Sequence, residues 1–198
     1  MTLGPTAYPL CVTDDATFWP WQAWPAFEAW PDKAGTVVVV PIAGFMAMDE
    51  YAPLDAEEAR LTDLVAGASR EIGSPKWLLT LSPLRFVAGP DPRCAFAVSP
   101  PVAHALIAEV VGSVAAAGFR KILLFNSSPW NEEICVAAAR DLHVEMDLDM
   151  FCLQMSALGE DASAKRVGSL LRELFDWRRL LPGSAPPATA QAPDGIKG

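Results

Sequence analysis

Charged residues are scarce in this chain of 198 residues, at 20% of the sequence against 52% hydrophobic residues. The formal net charge is -9 at pH 7 and lysine and arginine form no cluster, which argues against a nucleic acid partner. No apolar stretch is long enough to cross a bilayer, so we expect no membrane partner. The excess of apolar residues instead predicts a large core, a buried subunit interface, or both.

Histidine and paired cysteine are also nearly absent. The chain has two histidines, His104 and His143, and both fall in predicted helices or at their ends. Its four cysteines form no CxxC pair: Cys11, Cys94, Cys135 and Cys152. These counts do not support a Cys-His or Ser-His-Asp arrangement, and they predict reduced core thiols. Residues 1–10 lack the basic and apolar segments of a signal peptide, so we expect a cytoplasmic protein.

Predicted strands and helices alternate along the chain. Strands are predicted at residues 36–42, 77–81, 94–98, 121–126 and 144–153, and helices at 57–72, 102–117, 131–142 and 163–179. Ser99 is placed to cap the second of these helices, and residues 82–92 are predicted to be a loop. The alternation predicts an α/β fold with three layers, α/β/α, around a mostly parallel central sheet. We expect one domain over residues 17–182, an irregular arm over 1–16 and a disordered Pro/Ala/Gly-rich tail over 183–198.

A tryptophan-rich segment precedes the first strand. Residues 17–31 contain Trp19, Trp21, Trp24 and Trp30 between prolines, which predicts a short helix. Three interpretations are open: a packing lid on the sheet, a subunit contact, or an aromatic cage for a ligand.

Two polar loops are expected to meet at the carboxyl edge of the sheet, where open α/β folds bind ligands. The first loop, residues 44–58, carries Asp49, Glu50, Asp55, Glu57 and Glu58. The second loop, residues 126–133, carries Asn126, Ser127, Ser128, Trp130, Asn131, Glu132 and Glu133. A purely structural interpretation also exists, in which Asn131 or Ser128 and Asp55 or Ala56 begin helices whose first turns carry the glutamates.

The chain resembles the creatininase (creatinine amidohydrolase) family over about residues 17–151. Family members carry a strand ending in Pro-Val-Gly-Ser and then Thr-Glu-Gln-His-Gly-Pro-His-Leu-Pro-Leu-Gly-Thr-Asp, and residues 41–57 align with this stretch without a gap. The alignment is supported by matching residues at Pro41, Ile42, Pro53 and Leu54, and Glu57 falls on the final Asp of the motif. Residues 93–100 resemble Pro-Gly-Thr-Ile-Ser-Leu-Ser-Pro, and residues 117–131 resemble the stretch leading through Asn-Gly-His-Gly-Gly-Asn, with its asparagines at positions 126 and 131.

The departures from this pattern concern the metal ligands. The resemblance implies two divalent metals that activate a water for attack on a small or cyclic amide. Here the Glu and His of the first motif fall on Met46 and Met48, and the His of the second falls on Ser128. A thioether is a poor ligand for zinc, manganese or magnesium. Only Glu57 keeps an anionic ligand at its position. The family's later His-Ala-Gly-Glu stretch is matched only weakly by residues 157–163, which lack the histidine.

The sequence therefore predicts a metal-free member of this fold with no cofactor, acting as a non-catalytic subunit or a small-molecule-binding protein. The predicted ligand-binding residues are Met46, Met48, Glu50, Asn126, Ser128, Trp130 and Asn131. The resemblance implies a homo-oligomer, and a hetero-oligomer with an intact paralogue is the other possibility.

Two alternatives stay open. The first is a divergent amidohydrolase in which Glu57 or Asp49 is the general base, with or without Zn, Mn or Mg held by oxygen ligands. The second is an interaction protein that uses the tryptophan-rich segment as its contact surface.

Overall fold

The computed structural model describes residues 16–46, 53–73, 75–89 and 93–177. The helices are α1 (Trp24–Glu28), α2 (Ala56–Glu71), α3 (Pro100–Ala116), α4 (Glu132–Met146) and α5 (Ala164–Asp176). The strands are β1 (Val37–Ala43), β2 (Phe45–Met46), β3 (Leu78–Thr80), β4 (Leu84–Arg85), β5 (Val87–Ala88), β6 (Cys94–Ala95), β7 (Ala97–Val98), β8 (Lys121–Asn126) and β9 (Asp149–Gln154). Short 3-10 helices cover Trp19–Trp21, Pro129–Asn131 and Met155–Asp161.

The central sheet is parallel, in the order β3-β1-β8-β9, and β4 pairs with β1 beyond the end of β3. Every residue of β1 is buried, as expected for a run of β-branched residues in a strand covered on both faces. Ile42 pairs with Asn126, and Asn126 pairs with Gln154. These three residues mark the carboxyl edge of the sheet, and the polar loops leave from there.

Two hydrophobic cores lie on opposite faces of the sheet, which confirms the predicted α/β architecture. On one face, Val37 and Val39 lie in a core with residues of α2 and α5 such as Leu61 and Leu170. On the other face, Val38 and Val40 share a core with α3 and α4. Alternate residues of a strand point to opposite faces, so one valine run supplies both cores. No helix in the described ranges has the length and apolar character needed to span a membrane.

The tryptophan-rich segment covers one end of the second core. The rings of Trp19 and Trp30 lie 5.1 and 6.3 Å from the ring of Phe119, and the Trp30 indole donates to Thr36 Oγ1 at 2.9 Å. Trp21 and Trp24 remain 52% and 71% exposed. The packing-lid interpretation therefore fits Trp19 and Trp30, while Trp21 and Trp24 face solvent.

Three local predictions were wrong. The strand predicted from residue 144 begins at Asp149, because α4 continues to Met146 and ends at Asp147 in the left-handed region. The strand predicted over 94–98 is two short strands, separated by Phe96 with a φ of 59°. The predicted loop 82–92 contains β4 and β5. The predicted arm before Ala16, the predicted tail, and Cys11 lie outside the described residues.

Candidate functional site

The two polar loops meet beside Gly44, directly after β1. A β-carbon on Gly44 would lie 2.6 Å from Ser128 Oγ, 2.8 Å from Ser128 Cβ and 3.0 Å from Glu57 Oε2. Contacts below 3 Å are not tolerated by a β-carbon, so this position requires glycine for close approach. The predicted meeting of the loops at the carboxyl edge is therefore confirmed for Glu57 and Ser128.

Glu57 lies in the first turn of α2, yet its side chain points inward and is only 6% exposed. Burial raises the pKa of Glu57 to about 7, because a charged carboxylate loses its hydration there. The nearby Ser128 hydroxyl lowers the pKa by a smaller amount. The two groups approach each other without the geometry of a formed hydrogen bond, since Glu57 Oε2 and Ser128 Oγ have no partner within the described part of the chain.

Asn126 holds the loop that carries Ser128. Its amide nitrogen donates to Ser128 O at 2.7 Å and to Gln154 Oε1 at 2.6 Å, and its amide oxygen accepts from Ser128 N at 3.2 Å. The backbone of Ser128 is thus fixed to the end of β8, while its hydroxyl is directed to Gly44. Asn126 is 1% exposed and acts here by positioning its neighbour.

Asn131 ties the second loop to a different part of the fold. Its amide nitrogen donates to Phe86 O and its amide oxygen accepts from Ala88 N, both at 2.8 Å. These bonds fix β5 against the start of α4. Trp130, one residue earlier, is 47% exposed. The assignment of Asn126, Asn131 and Trp130 to ligand binding stays a prediction.

The expected side-chain caps do not form. Asp55, Ser99, Ser128 and Asn131 occupy the cap positions of their helices, but none makes a side-chain cap hydrogen bond. The Asn131 side chain makes no cap hydrogen bond because its amide group is already bonded to Phe86 O and Ala88 N. The side chain of Glu58, the neighbour of Glu57, is 13% exposed and pairs with Arg85 at 2.7 Å.

Met46 ends the short strand β2 and is 5% exposed. It pairs with Cys94, and its backbone nitrogen donates to Leu54 O at 3.2 Å. The thioether is therefore buried inside the protein. Met48, Asp49 and Glu50 lie outside the described residues.

A cavity of about 370 Å³ opens next to Glu57. Its walls include Glu57, Arg60, Ser127, Pro129, Met155 and Ser156. Ser156 donates a hydrogen bond to Glu132, the first residue of α4. The sequence reasoning missed Arg60, Met155 and Ser156. A residue one turn from Glu57 on the same helix is a natural neighbour, so the helical spacing could have indicated Arg60.

The side chains at this edge fit a two-metal centre poorly. Among the described residues, Glu57 supplies a carboxylate, Ser128 supplies a neutral hydroxyl, and Met46 is a buried thioether. Hard divalent cations need several carboxylate or imidazole ligands. Within residues 16–46, 53–73, 75–89 and 93–177 no group of three or more His, Cys, Asp or Glu side chains is arranged to hold a metal ion.

Both histidines have partners elsewhere. His104 on α3 bonds Asp141 on α4 at 3.2 Å, and the His143 ring bonds Leu148 O. Neither histidine is among the residues that line the cavity. Cys135 and Cys152 are buried free thiols in the second core, and burial raises the pKa of Cys152 to about 12. Neither a Cys-His nor a Ser-His-Asp site is assembled from the described residues.

A family model described as creatinine amidohydrolase matches residues 22–179 of this chain. Three solved structures are similar in fold. A Bacteroides fragilis NCTC 9343 protein assigned as a creatinine amidohydrolase has 16% identity and a TM-score of 0.59, over 75% of this chain and 60% of that one. A manganese form of creatininase has 14% identity and a TM-score of 0.56, over 74% and 61%. A creatininase variant complexed with creatine has 16% identity and a TM-score of 0.54, over 71% and 58%.

The alignments thus cover 58% to 61% of the length of these structures. At identities of 14% to 16%, these similarities show a shared fold and nothing further. A search of the curated proteins gives no match.

Proposed function

The chain belongs to the creatininase family, and from that premise we propose that it is a metal-free, non-catalytic member that binds a small polar molecule beside Glu57. The observation that carries the proposal is the buried oxygen pair, Glu57 Oε2 and Ser128 Oγ, which has no hydrogen-bond partner in the described residues. Buried polar atoms normally have partners. A ligand with polar groups that reaches both oxygens would supply them.

The cavity supports the same proposal. Its volume of about 370 Å³ is in the range of small-molecule sites, and its walls combine apolar Pro129 and Met155 with polar Ser127 and Ser156. Glu57 forms part of the wall, so a ligand in the cavity lies next to this residue. Arg60 is exposed and stands at the rim, where it favours a ligand that carries an acceptor group at its outer end.

A binding measurement tests this proposal. Creatine, creatinine and a panel of small amides and lactams are titrated against the purified protein in a thermal shift assay, followed by calorimetry. We expect at least one member to raise the Tm of the wild type but not that of Glu57→Gln. The control Glu145→Gln removes an exposed carboxylate from α4 and should respond as the wild type does. A panel that leaves the wild-type Tm unchanged, or raises both Tm values equally, would count against binding beside Glu57.

A second candidate is a divergent amidohydrolase, and the raised pKa of Glu57 favours it. A carboxyl group with a pKa of about 7 is suited to general base catalysis at neutral pH. Glu57 would take a proton from water, the oxygen would add to the amide carbon, and the proton would pass to the departing nitrogen as the C–N bond breaks. Asp49, the other predicted base, lies outside the described residues.

An amide hydrolysis assay separates the two candidates. The metal-free binder predicts no turnover of the panel above the buffer control. The hydrolase predicts turnover that Glu57→Gln abolishes, and turnover that survives this substitution would exclude Glu57 as the base.

We also propose a cytoplasmic location and assembly into oligomers, either of this chain alone or with an intact paralogue. The free, buried thiols of Cys135 and Cys152 are consistent with a reducing compartment. Fractionation of the source cells would test the location, and mass measurement of the purified native complex would distinguish one kind of chain from two.

A further inference from the structure

Glu57 is a buried acid without a counterion. The residue is 6% exposed, and no lysine, arginine or histidine of the described ranges forms an ion pair with it. Its neighbour Glu58, in contrast, pairs with Arg85 at 2.7 Å. Acidic groups are seldom buried unless they are paired, because an isolated carboxylate loses its hydration in the interior. An ionised Glu57 therefore has no compensating positive charge within these ranges.

The other charged groups around the cavity do not supply this compensation. Arg60 lies one turn along α2 in the cavity wall, but it is exposed and water screens its charge. Glu132, at the start of α4, has the same sign as Glu57 and accepts a hydrogen bond from Ser156 in the cavity wall. The 3-10 helix Met155–Asp161 adds only uncharged residues to the wall. The electrostatics of the cavity thus favour a positively charged occupant.

Ser128 is placed to stabilise the ionised form of Glu57. A β-carbon at Gly44 would lie 2.6 Å from Ser128 Oγ and 3.0 Å from Glu57 Oε2, so the two oxygens flank the same small space. Neither has a hydrogen-bond partner among the residues that the structure describes. Asn126 fixes the Ser128 backbone through its N and O atoms, whereas the hydroxyl hydrogen can rotate. An ionised carboxylate only accepts, so the hydroxyl gains an acceptor in Oε2 once Glu57 loses its proton.

We infer that the ligand of this site is a small organic cation with N–H donors, carrying an ammonium or amidinium group, and that its binding displaces the proton of Glu57. The inference rests on the binding function proposed above and adds the charge of the ligand to it. In the free protein the proton keeps the buried carboxyl group neutral. In the complex the cation compensates the charge from the cavity side, and Ser128 donates to Oε2 from the inner side. The displaced proton passes to solvent water.

A pH dependence follows from this exchange. Burial raises the pKa of Glu57 to about 7, so a proton and a cation compete for the same carboxyl group near neutral pH. The cation should bind about tenfold more tightly at pH 8 than at pH 6, because the carboxyl group is mostly ionised at the higher pH and mostly protonated at the lower. A neutral ligand would show no such dependence, and an anionic ligand would show the opposite one.

Three planar molecules of nearly the same shape test the charge of the ligand. Acetamidine is a cation between pH 6 and pH 8, acetamide is neutral, and acetate is an anion. Each is titrated against the full chain while nitrogen–hydrogen correlation NMR spectra record the backbone signals of residues 56–60 and 126–132. We expect acetamidine to bind at least about tenfold more tightly than acetamide or acetate at pH 8, and to weaken about tenfold at pH 6.

Four variants connect the effect to named side chains, and circular dichroism checks that each is folded. Glu57→Gln should lose both the preference for the cation and the pH dependence. Ser128→Ala should keep both but move the midpoint of the pH profile upward, because the Ser128 hydroxyl lowers the pKa of Glu57. Glu132→Gln removes the other carboxylate near the cavity and should keep the pH dependence. Glu145→Gln, at an exposed position, should behave as the wild type does.

The outcomes separate this inference from the binding function itself. If acetamide or acetate binds as tightly as acetamidine, with the signal changes lost in Glu57→Gln, the cation is overturned and binding beside Glu57 stands. Acetamidine binding that is unchanged in Glu57→Gln, or whose pH dependence disappears in Glu132→Gln instead, would overturn the inference as well. So would the absence of acetamidine binding to the folded wild type at pH 8, even where a larger molecule of the first panel raises the Tm.

Discussion

Glu57 and Ser128 bring two buried oxygen atoms, which have no hydrogen-bond partner among the described residues, to the same point beside Gly44. The relationship joins the first turn of α2 to the loop after β8, across the end of β1. In the motif that this chain resembles, those two positions belong to an Asp and a His, both metal ligands. Here a longer acid and a small hydroxyl have replaced them, and Gly44 gives them the space to approach.

Substitution of Gly44 by alanine should destabilise the fold by about 1–3 kcal/mol, the usual effect of overpacking. The added β-carbon would lie 2.6 Å from Ser128 Oγ, and Asn126 holds the backbone of Ser128 in place. Urea unfolding followed by tryptophan fluorescence measures the change. Gly112→Ala is the matched control. Gly112 lies in α3, and its added β-carbon would be at an ordinary contact distance of 3.6 Å from Met146 Cε. Helix propensity predicts equal or greater stability for the control, and equal losses in both variants would contradict the account.

The stability of the protein should depend on pH through Glu57. Its pKa is about 7 in the folded chain against 4.5 for an ordinary glutamate, so the folded chain binds this proton more tightly. The resulting contribution is fully present below pH 4.5 and is lost as the pH rises through 7. Glu57→Gln, which cannot ionise, should gain stability relative to the wild type between pH 5 and pH 8.

Urea unfolding of the two proteins across that pH range provides the test. Glu145→Gln is the control, because its carboxylate is exposed. A stability difference between wild type and Glu57→Gln that is independent of pH would show that burial does not raise this pKa.

Lys121 should anchor the end of α5. Its buried ammonium group donates to Leu174 O and Phe175 O at 3.0 Å and to Trp177 O at 3.3 Å. Lys121→Met keeps the length of the side chain but leaves these carbonyls without their donor, which should cost about 3 kcal/mol. Hydrogen exchange should also become faster in the last turn of α5.

Lys165→Met is the control for this substitution, because Lys165 is exposed at the other end of α5. It should change stability by less than about 0.5 kcal/mol. Unchanged exchange at residues 173–177 in Lys121→Met would contradict the anchoring role.

Substitution of Asn131 by alanine should loosen the contact between β5 and α4. Two hydrogen bonds at 2.8 Å are lost, and Phe86 O and Ala88 N are left without these partners. We expect a loss of about 2–3 kcal/mol in urea unfolding. Asn131→Asp, which keeps the acceptor for Ala88 N, separates the two bonds. A loss confined to ligand binding, with stability unchanged, would show that Asn131 serves the ligand and not the fold.

The sequence predicts much of the architecture because its strong patterns are local. The valine run gives β1, and the bounds of β8 match the prediction at both ends. The predictions fail where a single backbone conformation decides the outcome. The left-handed Asp147 ends α4 four residues later than predicted, and the positive φ of Phe96 divides one strand into two. A positive φ is rare outside glycine, so no residue pattern predicted these two backbone conformations.

The site could be predicted in part. Glu57 precedes Leu61, Leu64 and Ala68 at helical spacing, which places it on the buried side of α2, while Glu58 lies off this row and pairs with Arg85. Helical spacing thus distinguishes the buried Glu57 from its neighbour Glu58, although both residues are glutamates. The roles of Asn131 and Lys121 could not be read in the same way, because their partners are backbone atoms distant in the chain.

Metal content tests the central claim most directly. The protein is purified without chelators, equilibrated with zinc or manganese, dialysed and measured by inductively coupled plasma mass spectrometry beside Glu57→Gln. The account predicts a substoichiometric amount of metal in both proteins. Stoichiometric zinc or manganese that withstands dialysis in the wild type and is lost in Glu57→Gln would contradict it.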